Sequence, residues 1–202
     1  MKGARFLMLA AVFLAGCATE TSTDLLRDYE EVDATTILDA PGAIPGTYSP
    51  LKRDLVARGE YMVELLGCGA CHTDGALVGE PDFDRPLAGS ATGLAYTDPM
   101  GEKRPGVIYP SNITPDDETG IGAWTDKQIA NAIRAGIGRH GSQRIAWMPW
   151  QGYAIIADDD LDAIIAYLRT IKPVKHQVPA AVEPGKRAKH PFVYFGVYRS
   201  KT

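Results

Sequence analysis

Two cysteines three positions apart, followed at once by a histidine, stand at Cys68-Gly69-Ala70-Cys71-His72. Cys-x-x-Cys-His is the attachment signature of a c-type haem. On a helical turn residues i and i+3 lie on one side, so each sulfur can add to one haem vinyl group, and His72 is placed to bind the iron from the proximal side. Other uses of paired cysteines fit less well. A zinc site needs two further ligands, yet the only other cysteine is Cys17, and His140, His176 and His190 are not at His-x₃₋₅-His spacing. A thioredoxin-like redox pair needs a strand-helix context that residues 62–66 and 73–75 do not supply. The chain is therefore expected to fold around one covalently attached c-type haem.

The third cysteine has a different setting. Lys2 and Arg5 precede an apolar run at residues 6–15, and Leu14-Ala15-Gly16-Cys17 closes it with small residues. Basic start, apolar core and small-residue exit are the three parts of an export signal. The run is too short to cross a hydrocarbon layer of about 30 Å as a helix. Its exit resembles the bacterial lipobox, so residues 1–16 are expected to be a lipoprotein signal peptide and Cys17 the lipid-bearing start of the mature chain. Each buried acyl methylene contributes roughly 0.8 kcal/mol to membrane binding, so two or three chains anchor durably. Residues 17–50 are rich in Thr, Asp, Glu, Pro and Gly, without a sustained apolar period, and read as a flexible tether. Because c-type haem is joined to protein outside the cytoplasm, the expected place is the periplasmic side of a bacterial membrane.

Three helices are legible. One follows the cap Ser49-Pro50, carries Leu55, Met62, Leu65 and Leu66 on one stripe, and runs to the haem motif. A second starts at the capping box Thr125-Asp126-Lys127-Gln128 and can end at Gly136. A third begins among residues 158–160, all aspartates suited to the positive end of a helix dipole, and Lys172-Pro173 stops it. An electron carrier needs a second axial ligand, and a thioether raises the reduction potential relative to histidine. Met148, in Trp147-Met148-Pro149-Trp150, lies on a proline-stiffened loop able to wrap the distal side. It is the expected ligand. Met62 sits only six residues before Cys68, on the helix leading into the motif; Met100, in Asp98-Pro99-Met100-Gly101, and His140, in Gly138-Arg139-His140-Gly141, are the other candidates.

Together these residues resemble a monohaem class I cytochrome c, and more closely the cytochrome c domains of bacterial membrane-associated alcohol, gluconate and aldehyde dehydrogenases. The resemblance rests on Asn112-Ile113-Thr114-Pro115-Asp116, residues 119–126, Met148-Pro149 and Ala166-Tyr167-Leu168-Arg169, and covers about residues 52–173. It implies an all-α class I cytochrome c fold at residues 51–173, helices wrapped around one haem, with extended N- and C-terminal appendages. It also implies that Pro86, in Arg85-Pro86-Leu87-Ala88-Gly89, offers its carbonyl to the proximal histidine, fixing the His72 ring and tuning the iron. Tyr109, Asn112 and Trp124 are candidates to bind or bury the haem propionates, since phenol, amide and indole groups donate hydrogen bonds to carboxylates. Arg139 and Arg144 could offset propionate charge. Many such dehydrogenase subunits carry three haem motifs, whereas one stands here.

The 202 residues hold 21 Lys+Arg and 25 Asp+Glu, a formal net charge of -4, which argues against nucleic-acid binding. The charge is uneven: residues 17–171 hold 12 basic and 24 acidic side chains, residues 172–202 seven and one. The basic tail at 174–202 carries Phe192-Val193-Tyr194-Phe195 and Tyr198 among its cations. It reads either as a surface for a partner or an anionic membrane, or as a strap that neutralises an acidic face. There is no Ser/His/Asp order, and Gly136-Ile137-Gly138 lacks the third glycine of a dinucleotide fingerprint. The expected function is a lipid-anchored electron carrier, not itself an enzyme, taking single electrons from a dehydrogenase-type donor and passing them to a cytochrome or oxidase. The alternative is a small-ligand haem sensor or peroxidase-like enzyme, which requires a labile Met148 bond.

Overall fold

Helix starts written into the chain govern the architecture of the computed structural model, which describes residues 38–46, 48–97, 105–141 and 148–195. All of them belong to Val32–Thr202, one of the two units into which the chain divides. Ser49 is extended, its hydroxyl accepts from the Lys52 amide, and Pro50 opens helix α1, Pro50–Leu65. Gly67, at φ 66°, turns the chain so that α2, Cys68–His72, begins at once. Helix α3, Asp126–Ala135, has both bonds of its Thr125/Gln128 capping box and ends at Gly136 in the left-handed region. A single turn, α4 at Trp150–Tyr153, precedes α5 at Asp158–Leu168, whose first turn carries three aspartates.

The expectation of an all-α fold is corrected by a small sheet. Strands β1 (Gly93–Thr97), β2 (Pro105–Ile108) and β3 (Phe192–Phe195) lie in the order β2-β1-β3. β1 is antiparallel to β2, with Leu94 opposite Ile108, and parallel to β3, with Leu94 opposite Val193. Parallel neighbours need a long crossover, and here it is almost the whole second half of the chain.

Two apolar clusters hold these pieces. The larger gathers Val56, Met62 and Val63 of α1, Ile129 and Ile133 of α3, and Leu161, Ile164, Ile165, Tyr167 and Leu168 of α5. Each such aliphatic side chain contributes about 1.5–3 kcal/mol on full burial. α1 and α5 approach closely because Gly59 has no side chain: a Cβ there would lie 1.9 Å from the Ala163 carbonyl oxygen. Leu87, 1% exposed, takes a left-handed φ of 60°, a conformation costly for a residue with a Cβ. Bonds on both sides hold it: its amide donates to Thr73 Oγ1 at 3.1 Å and its carbonyl accepts from the Ile113 amide at 3.0 Å. The smaller cluster, Ala95, Val107 and Tyr109, packs against Val178, Val182, Ala188 and Tyr194.

The appendages are docked where the structure describes them. Residues 38–46, placed by sequence in a flexible tether, lie on the domain: the Ile44 amide donates to the Thr170 carbonyl at 2.7 Å, and Tyr167 Oη to the Pro41 carbonyl at 2.6 Å. Burial pushes the Tyr167 hydroxyl well above its ordinary pKa. Residues 174–195 of the C-terminal tail lie across the domain as a strap, where Val182 pairs with Val107 and β3 with β1. Cys17, Met100, Arg144, Trp147 and Tyr198 lie outside the described residues. Among the described residues no helix is long and apolar enough to cross a membrane.

Candidate haem site

A cavity of about 450 Å³ opens between the two clusters, a size ordinary for a cofactor site. Cys68, Cys71 and His72 form one part of its lining, and Met148, carried in by the loop before α4, another. The rest is largely aliphatic: Ile113, Ile121, Ile129, Ile133, Ile164 and Leu168 come from α3, α5 and the loop ahead of α3. The sequence places these residues by simple means. Gly67 stops α1 and starts α2, so both thiols project from one turn; Thr125 and Gly136 set the ends of α3 and hence the register of Ile129 and Ile133.

His72 is oriented by a backbone carbonyl. Its Nδ1 lies 2.6 Å from the Ser111 oxygen. A carbonyl only accepts, so Nδ1 carries the hydrogen and Nε2 the lone pair that a metal requires. The expected partner was Pro86; that assignment is corrected, since Nδ1 meets Ser111 and Pro86 instead lines a separate small hollow with Leu38 and Val63. Every residue owns a carbonyl, so no side-chain signal could have distinguished the two in advance.

Burial raises both thiols above the ordinary range: Cys68 to about 12, with Cys71 adding to the effect, and Cys71 in the same direction. Tyr153, also on the cavity wall, is pushed up to about 12 by burial and the two cysteines; its hydroxyl donates to the Leu66 carbonyl at 3.2 Å. The donor set therefore fits a group joined through neutral sulfurs and ligated by imidazole and thioether. It does not suit zinc, and among the described residues no group of three or more His, Cys, Asp or Glu is set to hold an ion.

The remaining candidates separate cleanly. Trp124 and Tyr109 line the cavity, with Tyr109 Oη 3.5 Å from the His190 carbonyl. Asn112 does not line it: it is 2% exposed, and its amide is spent on Thr119 and on the carbonyls of Val174 and His176, so the propionate role is corrected for this residue. Met62 is buried in the α1–α5 core, and Arg139 and His140 are exposed, none of them on the cavity wall. Sequence reading missed Arg169 as a support of the site. Its guanidinium bonds Asp126 Oδ1 and the carbonyls of Ile121, Gly122 and Trp124, fixing the segment that presents Ile121 and Trp124 to the cavity.

Two thiols and an imidazole on one turn, sharing an apolar cavity with a methionine, define the class of proteins that hold a porphyrin covalently. Residues 56–172 match the family model for cytochrome c, and the chain belongs to the cytochrome c family. That membership implies the class I cytochrome fold and a covalent c-type haem. Relatives include the cytochrome c subunit of alcohol dehydrogenase (quinone) of Gluconobacter oxydans (strain 621H), 40% identical over 124 residues, 61% of this chain and 23% of that one. The fructose dehydrogenase cytochrome subunit of Gluconobacter japonicus is 37% identical over 133 residues, 65% of this chain and 24% of that one. The gluconate 2-dehydrogenase cytochrome c subunit of Pantoea cypripedii is 36% identical over 121 residues, 59% and 24%. The chain spans about a quarter of the length of these curated relatives.

Proposed function

We propose that this chain is a one-haem electron carrier working with a dehydrogenase, anchored through Cys17 on the periplasmic side of a bacterial membrane, and handing single electrons to a cytochrome or an oxidase. The observation that carries the reading is the convergence of Cys68, Cys71, His72 and Met148 on one cavity. When bound, the haem supplies one-electron exchange between ferric and ferrous iron. Cys68 and Cys71 would hold it through thioether links from a single helical turn. His72, its ring set by Ser111, would offer Nε2 to the iron, and Met148 would offer its sulfur. Ile113, Ile129, Ile133 and Ile164 exclude water, which favours the less charged reduced state. The dehydrogenase partner is supported by what the relatives are named for, and the anchor by the signal ending Leu14-Ala15-Gly16-Cys17.

The test is the optical spectrum of the haem-loaded chain, oxidised and reduced, with and without carbon monoxide, beside Met148→Ala. The reduced wild type is expected to leave carbon monoxide unbound and the variant to take it up readily. Equal binding by both would remove Met148 from the iron and turn the reading toward ligand sensing or peroxidase-like chemistry.

A further inference from the structure

The Asn112 side chain is among the most heavily bonded of the described residues, and it sits one residue from the carbonyl that orients His72. Its Nδ2 lies 2.7 Å from the Val174 carbonyl, 3.4 Å from that of His176 and 3.1 Å from Thr119 Oγ1. Its Oδ1 accepts from the Thr114 amide at 2.9 Å and the Thr114 hydroxyl at 2.8 Å. Thr114 Oγ1 in turn accepts from the Val174 amide at 3.1 Å, and Thr119 Oγ1 from the His176 amide at 2.9 Å. The strap is thus sewn to residues 112–119 through the buried side chains of Asn112 and Thr114 and the half-buried Thr119. On the other side the same loop is fixed by Ser90, whose amide donates to the Pro110 carbonyl at 3.0 Å, and by the Ile113–Leu87 bond. Ser111 lies between these ties and presents its oxygen to His72 Nδ1 at 2.6 Å. Val174 and His176 stand just past the residues that the cytochrome c family model matches.

We propose that Asn112 is a positioning residue: by tying the Ser111 loop to the C-terminal strap at Val174 and His176, it holds the Ser111 carbonyl on His72 Nδ1 and so sets the reduction potential of the haem iron. The physical link is short. A carbonyl held close to Nδ1–H draws the proton and leaves more electron density on the imidazole, which stabilises ferric iron and lowers the potential. Loosening the loop lengthens that bond and moves the potential the other way. The buried amide serves because its donors face the Val174 and His176 carbonyls while its oxygen accepts from Thr114, so the loop has one strongly preferred position.

The proposal rests on His72 as an iron ligand, and the two fail separately. A wild-type chain that carries no covalent haem, or whose haem does not depend on His72, sinks the ligand assignment. An unmoved potential in a haem-loaded variant sinks this one. The experiment uses the haem-loaded full chain with Asn112→Ala, Thr114→Val and, as a reference that loses a buried hydrogen bond elsewhere, Tyr167→Phe. The midpoint potential is read by spectroelectrochemical titration, and exchange of the His72 Nδ1–H with solvent by nitrogen-edited NMR of the reduced, diamagnetic protein. Asn112→Ala and Thr114→Val are expected to shift the potential positive and speed ring-proton exchange, the alanine variant more. Tyr167→Phe is expected to lose stability with neither change. Should Asn112→Ala fail to accumulate, Thr114→Val, which keeps the side-chain volume, decides alone. Loss of stability without a shift in potential or exchange, matching Tyr167→Phe, overturns the proposal and leaves Asn112 a purely structural residue.

Discussion

Replacing Gly59 by alanine adds one methyl group at the crossing of α1 and α5, and its cost can be worked from the geometry. The new Cβ would stand 1.9 Å from the Ala163 carbonyl oxygen and 2.6 Å from both the Ala163 carbonyl carbon and Tyr167 Cβ. Real Cβ atoms keep at least 3.0 Å from such neighbours, so the helices must part by about 1 Å, because a backbone carbonyl cannot swing aside as a side-chain tip would. A gap of that size forfeits a quarter to a half of each affected contact, and Val56, Val63, Ile164 and Tyr167 share the seam. Overpacking of this kind costs about 1–3 kcal/mol and more against rigid backbone; the better helix propensity of alanine returns at most about 1 kcal/mol. The expected net loss is about 2–3 kcal/mol, or roughly 5–10 °C in Tm for a chain of this size. Urea and thermal unfolding of the haem-loaded protein, followed by far-ultraviolet circular dichroism and by the Soret band, measures it. A Gly59→Ala variant as stable as the wild type, or stabilised by the propensity gain, would refute the claim that absence of a side chain sets the α1–α5 distance.

Arg169→Gln removes the charged bonds to Asp126 and to the Ile121, Gly122 and Trp124 carbonyls and should cost about 1.5–3 kcal/mol. A change below about 0.5 kcal/mol in urea titration, the range of an ordinary surface substitution, would deny the residue its supporting role. Asp116 has its pKa held below 3.8, first by the Thr119 hydroxyl and then by the Thr119 amide. A depressed carboxylate stabilises fully above its unfolded value and loses that contribution as pH falls through the folded one. Asp116→Asn should therefore be less stable than wild type at neutral pH, with the gap closing below pH 3.8; a constant gap down to the acid transition contradicts the assignment.

What the sequence made legible was whatever is encoded locally. Cys68 to His72 needed only its own spacing, and Ser49-Pro50, the Thr125/Gln128 box and Gly136 gave helix ends within a residue because caps are written beside the turns they close. The sheet escaped notice for the opposite reason. Its strands are four or five residues long, and β1 pairs in parallel with a partner about a hundred positions away, so no window of sequence contains the contact. The amide of Asn112 makes it a candidate for the propionates, but a hydrogen-bonding group does not name its acceptor, and in the fold it bonds the carbonyl of Val174, two residues beyond the family match. Met148 is legible as a candidate because a Met-Pro pair ahead of a helix is a local pattern, whereas the Ser111 oxygen beside His72 is an atom common to every residue.

The position of β3 has a consequence for any shortened version of the chain. β1 is the middle strand of three, covered on one side by β2 and on the other by Phe192–Phe195. A truncation at the end of the family-matched region would leave one flank of β1 with open amides and carbonyls, beside Leu94 and Ala95, which are buried in the whole chain. An exposed, apolar strand edge is a template for further strands. A trimmed cytochrome domain made for convenience is therefore expected to self-associate edge to edge, and a lysine placed on β1 to interrupt that edge would restore a monomer without the missing segment.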